Sequence, residues 1–364
     1  MRNGLVISLD GMGGDKAPHI VVEGAHLARE KFPQAKFIIY GDEAQIRPLI
    51  KKYEGLESVM EVRHTPDRVT AEDKPAIALR SGRNSSMRLA IDTVAKGEAD
   101  CVVSAGNTGA LMAMAKFSLK VMPGIHRPAI ATYMPTKVAG HGTIFMDLGA
   151  NAECTSQNLL EFAVLGGVFS REIFKINEPR IALLNIGSEA MKGDELVKAA
   201  SEVFAAARLP GKYVGYAEGN EIMTGDFDVV VTDGFTGNVT LKTMEGTASL
   251  IKHMMKEAFK SSWWVKLGMV LCLPGLPGLL ICYGALKKFS KRIDPRYYNG
   301  ASLLGLKGLC IKSHGGTDGI GFANAIGVAA GLAMNRFTDK VETELRRLGF
   351  EGHIEPLPEP EVTT

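Results

Sequence analysis

Short apolar runs recur along the chain, and each ends in a polar turn rich in glycine. Residues 5–9 form the first run, which leads into Asp10 and Gly11-Met12-Gly13-Gly14-Asp15. Pro18 then opens a helical pattern from Val21 through Ala28 that ends before Pro33. Proline at a helix start behind a glycine cluster is an entry signal. Residues 36–40 read as the next strand and Gly41-Asp42 as a turn, with a helix following to near Tyr53 and a third strand at 59–62. Such alternation predicts a parallel sheet with helices on both faces.

The rhythm persists. Residues 99–104 read as a buried strand, Ala105-Gly106-Asn107-Thr108-Gly109 as its turn and 110–121 as a helix. Residues 143–147 precede Leu148-Gly149-Ala150-Asn151, and Arg180–Asn185 precedes Ile186-Gly187-Ser188-Glu189. Residues 228–232 precede Asp233-Gly234-Phe235-Thr236-Gly237-Asn238, and 309–313 precede His314-Gly315-Gly316. The pattern is that of a doubly wound α/β fold with a mostly parallel sheet, in which ligands bind beyond the carboxyl ends of the strands. No repeat of fixed period is present.

Two segments break the pattern. Residues 267–286 carry no charge and hold Pro274-Gly275 and Pro277-Gly278 near their centre, with Trp263 and Trp264 before them and Lys287, Lys288, Lys291 and Arg292 after them. The prolines would break one straight spanning helix, and basic residues at both ends lack the asymmetry of a one-way span. An inserted apolar helical hairpin over 260–296 is therefore expected. Its Pro-Gly tip, with Leu276 and Leu279, dips into the membrane interface, and its basic rim meets anionic lipid. A hairpin buried in a dimer is the alternative. Residues 351–364 read as a disordered tail, and 1–350 as one large α/β domain with a cleft.

Composition narrows the function classes. Lys and Arg number 42 against 40 Asp and Glu, which argues against bulk nucleic-acid binding. Five cysteines without close metal-ligand spacing fit a reducing compartment. Residues 1–10 show no signal peptide, so a cytoplasmic location is expected. No G-x-S-x-G, P-loop or H-E-x-x-H sequence occurs, which weakens serine-hydrolase, kinase and zinc-protease assignments.

Taken together, the turns resemble those of the PlsX-type phosphate acyltransferases, also called acyl carrier protein–phosphate transacylases. The matching blocks are Asp10 to Asp15, Ser104 to Ala110, Asp147 to Asn151, and Leu184-Asn185-Ile186-Gly187 leading to Lys192-Gly193. They continue with Gly234 to Asn238, Leu241-Lys242, Glu245-Gly246, Asn299-Gly300-Ala301 and Lys312-Ser313-His314-Gly315. The resemblance implies a fold like phosphotransacetylases and isocitrate/isopropylmalate dehydrogenases, and a homodimer. It also implies transfer of a long-chain acyl group from acyl carrier protein to inorganic phosphate, with no metal or organic cofactor. The acyl phosphate then feeds glycerol-3-phosphate acylation at the inner face of the membrane.

Phosphate attacking a thioester needs an anion cradle, an oxyanion site and a place for the acyl chain. The family motif puts Lys192 and Asn238 on phosphate or the oxyanion, with His314 and Glu245 as further catalytic candidates. Asn107, Gly109, Asn151, Gly187, Gly237 and Lys242 are candidates for substrate and phosphate binding, since glycine turns before helices expose N–H groups. Asn107, Asn151 and Asn238 equally suit Asx-turns, but three at one expected sheet edge favour ligand contact. Glu245, about two helical turns beyond Asn238, is placed to orient Lys192 or move a proton. Asp10 and Asp15 read as turn-closers or dimer contacts. Cys154 has no partner base and is not a nucleophile.

Two other functions compete. Gly319-Ile320-Gly321 with Asp339 resembles part of a dinucleotide fingerprint, as in a nicotinamide-dependent dehydrogenase, but Asn324 replaces the third glycine. A non-enzymatic membrane-surface scaffold is the other, and the intact polar turns argue against it.

Overall fold

In the computed structural model, which describes residues 4–260 and 294–350, the apolar runs assemble into one sheet. Its first four strands are β1 (Val6–Asp10), β2 (Lys36–Gly41), β3 (Met60–His64) and β4 (Cys101–Ser104). Then come β5 (Ala129–Pro135), β6 (Gly142–Met146), β7 (Arg180–Asn185), β8 (Lys212–Glu218), β9 (Val229–Val231), β10 (Ala301–Leu304) and β11 (Leu309–Lys312). The spatial order is β3-β2-β1-β4-β11-β10-β5-β6-β9-β7-β8.

Two parallel halves meet at an antiparallel seam. β2, β1, β4 and β11 are parallel, with Ile7 opposite Cys101 and Cys101 opposite Leu309. β10 runs against both β11 and β5, and β5 runs against β6. β6, β9, β7 and β8 are again parallel to one another. Each antiparallel pairing inverts the chain direction, so three inversions leave the two halves pointing opposite ways. This corrects the expectation of a single ligand edge. The carboxyl ends of β1, β4 and β11 lie at one edge; those of β6, β7 and β9 lie at the other.

Side chains alternate across the sheet, and each face carries its own core. Ile7, Leu9, Cys101 and Val103 pack under α1 (His19–Lys31), which supplies Val21, Val22 and Ala25. Val102 and Cys310 face the opposite core, with Met87, Ala90 and Ile91. The last three belong to α4 (Ser86–Ala95), which follows α2 (Glu43–Ile50) and α3 (Pro75–Ser81). α5 (Thr108–Leu119) adds Leu111 and Met114 to that face. α6 (Ser156–Phe174) covers the other half of the sheet with Phe162 and Leu165, and α7 (Glu195–Ala206) adds Phe204. α8 (Gly234–Lys260) starts at the seam, and α9 (Gly319–Met334) and α10 (Phe337–Arg347) close the first core.

Among the described residues no helix is long and apolar enough to cross a membrane. The expected hairpin residues Trp263, Trp264, Leu276, Leu279, Lys287, Lys288, Lys291 and Arg292 lie outside the described residues, as does the 351–364 tail.

Candidate active site

A cleft of about 730 Å³ opens at the seam. The loops after β1, β4 and β11 reach it from one half of the sheet, and Leu148, just beyond β6, reaches it from the other. Ile130 and Thr132 of β5 and Ala301 of β10 lie between, with the 68–72 loop and the first turns of α8 as walls. Ala301 faces Lys312 directly in the antiparallel register, which brings Lys312 to this boundary.

The first half contributes a buried polar cluster. Asp10, 1% exposed, accepts hydrogen bonds from Ser86 Oγ and Ser104 Oγ at 2.6 Å each and from Met12 N–H at 3.4 Å. Burial pushes its carboxyl above the usual range, although those hydrogen bonds pull the other way. Gly13 lies so close to the Asp10 carboxylate and the Gly106 N–H that a methyl group there would collide with both. Lys312 Nζ donates to Ala105 O and Ser313 O. Burial pushes its ammonium down to about 8, with the Asp10 and Asp15 carboxylates opposing the shift.

Asn107 caps α5, its Oδ1 accepting from Ala110 N–H at 3.1 Å. Its amide donates to Ala71 O and Asp73 O at 3.0 Å, tying the 70–73 loop across the cleft mouth. The side chain the sequence offered as a ligand donor is thus engaged by the protein. The adjoining Thr108 and Gly109 line the cleft, and among the described residues no acceptor takes their N–H groups. That is the arrangement in which a helix start receives an anion.

On α8, Asn238, Lys242 and Glu245 line the cleft. Gly237 lies against the Asp147 carbonyl with no room for a side chain, and Asn238 covers Gly149. Lys242 Nζ pairs with Glu245 at 2.7 Å, so Glu245 orients Lys242 and not the expected Lys192. His314 is exposed in the cleft; its backbone N–H donates to Asn299 Oδ1, and its Nδ1 accepts from Gly316 N–H at 3.1 Å. That bond leaves Nε2 to carry the proton of the neutral ring.

The remaining candidates sit elsewhere. Asn151 is 8% exposed, and its amide donates to Pro128 O and Asp147 Oδ2, both at 2.9 Å. Lys192 and Gly187 belong to the loop after β7, in the opposite half of the sheet. There Lys192 Nζ pairs with Glu189 at 2.7 Å, and Glu189 holds the ammonium above its usual range. Neither residue lines the cleft. Cys154, outside the cleft, has its thiol pushed up to about 11, chiefly by burial. Among the described residues no group of His, Cys, Asp or Glu is placed to hold a metal ion.

Sequence reasoning passed over Lys312, Arg68 and the Asp10 cluster. The available signal for Lys312 was a charge ending the otherwise apolar run Leu-Cys-Ile-Lys. Nothing local marks Arg68, which reaches the cleft from an irregular loop.

The dinucleotide near-match also has a structural explanation. Gly319 and Gly321 begin α9 behind an Asp318 cap. A Cβ at Gly319 would collide with the Glu23 side chain and one at Gly321 with Thr317 Oγ1, so these glycines serve close packing within the protein. Asp339 pairs with Arg336 on α10.

A family model described as "Fatty acid synthesis protein" matches residues 5–340. The chain is 54% identical over 348 residues to the phosphate acyltransferase of Rhodospirillum centenum, covering 96% of this chain and 95% of that one. It is 49% identical to the phosphate acyltransferase of Rhodospirillum rubrum, covering 96% of each. Among solved structures, a phosphotransacetylase from Streptococcus pyogenes superposes with a TM-score of 0.58 at 18% identity, covering 91% of this chain and 94% of that one. The EutD phosphotransacetylase from Staphylococcus aureus gives 0.55 at 19%, with the same coverage. These two likenesses establish the shared fold.

Proposed function

Since the chain belongs to the fatty acid synthesis protein family and is a phosphate acyltransferase, we propose that it moves a long-chain acyl group from acyl carrier protein to inorganic phosphate in the seam cleft. The observation that carries the site assignment is the meeting, in one cavity, of an anion-binding floor and an apolar wall. Thr108 and Gly109 N–H groups with Lys312 and Arg68 suit phosphate, while Met12, Val69, Ile130, Leu148 and Leu241 suit the acyl thioester. Holding both reactants there supplies acceleration by proximity. Positioned N–H donors stabilise the carbonyl oxyanion, each worth about 3–4 kcal/mol. Phosphate is itself the nucleophile, so no acyl-enzyme is needed.

Lys192 enters this reading from the family pattern as an anion ligand, with Asn238, Lys242, Glu245 and His314 acting inside the cleft. A homodimer is part of the same reading. Leu250, Ile251 and Met254 on α8 are each more than half exposed, which supports a second copy covering that helix. Peripheral contact with anionic membrane on the cytoplasmic side rests on the uncharged 267–286 stretch and its basic flanks. The decisive measurement is phosphate-dependent consumption of long-chain acyl carrier protein with acyl phosphate trapped as the hydroxamate. Consumption that ignores phosphate would overturn the assignment. Flotation with anionic liposomes, compared with Leu276→Asp plus Leu279→Asp, tests the membrane contact; equal binding removes it.

A further inference from the structure

Resting on that reading, we propose that Lys312 is a catalytic residue of the transfer, a proton shuttle between phosphate and the leaving thiol. The step balances without an outside acid or base. A phosphate oxygen of HPO₄²⁻ bonds to the thioester carbonyl carbon, and the C–S bond breaks with its electron pair going to sulfur. The Lys312 ammonium gives that sulfur a proton, and the resulting amine takes back the proton carried by the phosphate. The products are acyl phosphate dianion, free thiol and Lys312 as it began.

Geometry places the shuttle. Lys312 ends β11 at the seam, opposite Ala301, and its side chain lines the cleft. Two of its donor positions are taken by Ala105 O and Ser313 O, which leaves one of three N–H bonds for a reactant. Among the described residues it makes no ion pair, so no carboxylate holds its proton directly. The groups around it act at longer range. Asp10 from β1, Asp15 from the next loop and Cys310 on its own strand favour the charged form, and Lys242 on α8 disfavours it. Glu72, Arg68, Glu245 and His314 line the same cleft.

The other cations there are less suited. Arg68 keeps its proton at any working pH, and Lys242 is paired with Glu245. Burial brings the Lys312 ammonium to about 8. A free thiol sits near 8.5, and once acylated the phosphate, now monosubstituted, gives up its remaining proton near 6. A donor close to both loses little driving force in either direction.

The test uses the full-length enzyme with acyl carrier protein thioester and phosphate. In the wild type, kcat should fall above a pH near 8, because the protonated lysine is the active form; bound phosphate dianion would move that limb upward. Lys312→Arg keeps the charge but holds its proton, so kcat should drop about 100-fold with the phosphate KM within about threefold, and the basic limb should vanish. An aryl thioester of the same acyl group, whose thiolate leaves unassisted, should shrink the defect to less than about tenfold. An arginine variant with near-normal kcat, or an equal defect with both thioesters, overturns the shuttle. Should Lys312→Arg fail to fold, the wild type decides alone: a rate flat from pH 7 to 10, or as sensitive to thiol acidity as the uncatalysed reaction, overturns it. A wild type that consumes no thioester with phosphate overturns the underlying reading instead.

Discussion

The two halves of the sheet end in loops of similar composition and very different physical character. At the carboxyl ends of β1, β4 and β11, the Asp10 carboxylate and the Ser86 and Ser104 hydroxyls are buried together, and the part-buried Lys312 ammonium is held by carbonyls at the cleft wall. Beyond β7, Glu189 and Lys192 pair in the open, with side chains 56% and 46% exposed. An exposed pair is solvated whether or not it forms, so it changes neither partner's chemistry much. A buried group has no such refuge, and its protonation responds to each neighbour. Glycine and asparagine after a strand therefore mark a turn, whereas the burial of charge marks where reactivity is tuned.

The sharpest way to break this contrast is Asp10→Ala. It leaves the Ser86 and Ser104 hydroxyls, 1% and 0% exposed, without their acceptor. The expected loss is about 2–4 kcal/mol, read from chemical denaturation. The sign with pH follows from the raised carboxyl. A group that binds its proton more tightly when folded stabilises fully below its unfolded value, near 3.8, and loses that contribution as pH rises through its folded value. The stability gap between wild type and Asp10→Ala should hence widen as the pH is lowered. A gap that narrows would mean that Asp10 is held ionised.

Lys192→Ala probes the other half. The family pattern predicts a loss of about 100-fold in kcat/KM for acyl-phosphate formation, the size of one lost transition-state donor. The thermal midpoint should stay within about 1 °C because the pair is exposed. Full activity would confine the chemistry to the seam. The expected loss would instead show that an exposed strand-end lysine acts in the reaction without perturbed chemistry of its own.

How much of this was legible in the sequence follows the same division. Apart from β8, whose exposed run Lys212–Glu218 alternates in burial, the parallel strands are legible because their apolar runs are continuous and end in polar turns: residues 36–40 form β2 and Arg180–Asn185 forms β7. β5 and β10 were not found. β10 is four residues, Ala-Ser-Leu-Leu, and β5 begins right after Pro128 and ends on Pro135, so neither carries a periodic signal. Missing them hid the seam, and the seam decides that Asn151 and Asn107 sit at opposite edges. The Asp10 cluster was unreadable for a related reason. Its members are 76 and 94 positions apart, and only the closed sheet brings them together. Between the turn-closing and dimer-contact roles the sequence offers for Asp10, its bond to Met12 N–H fits the first; the two serine partners need the fold.

Arg68→Ala should have a smaller effect, confined to binding. Arg68 lines the cleft from an exposed loop, so its loss should raise the phosphate KM about tenfold with kcat within about twofold, the signature of a uniform binding contact. An unchanged phosphate KM would leave the anion to Lys312 and the α5 N–H groups.

Glu189→Gln is expected to do least, and for that reason it measures the contrast most directly. Glu189 and Lys192 are mutually stabilising: the lysine hydrogen bond lowers the carboxyl, and the glutamate raises the ammonium. A lowered carboxyl contributes stability above its unfolded value, near 4.5, and loses it as pH falls through the folded value. The raised ammonium loses its share only as pH rises past its folded value, above 10.5 and outside the working range. Any difference in thermal midpoint between wild type and Glu189→Gln should therefore be flat from pH 6 to 9 and close toward pH 3. Solvent screening should keep it within about 1 °C throughout, and added salt should erase it. A larger, salt-resistant difference would mean that another surface shields the pair, and the two ends of the sheet would then be alike in the burial that separates them here.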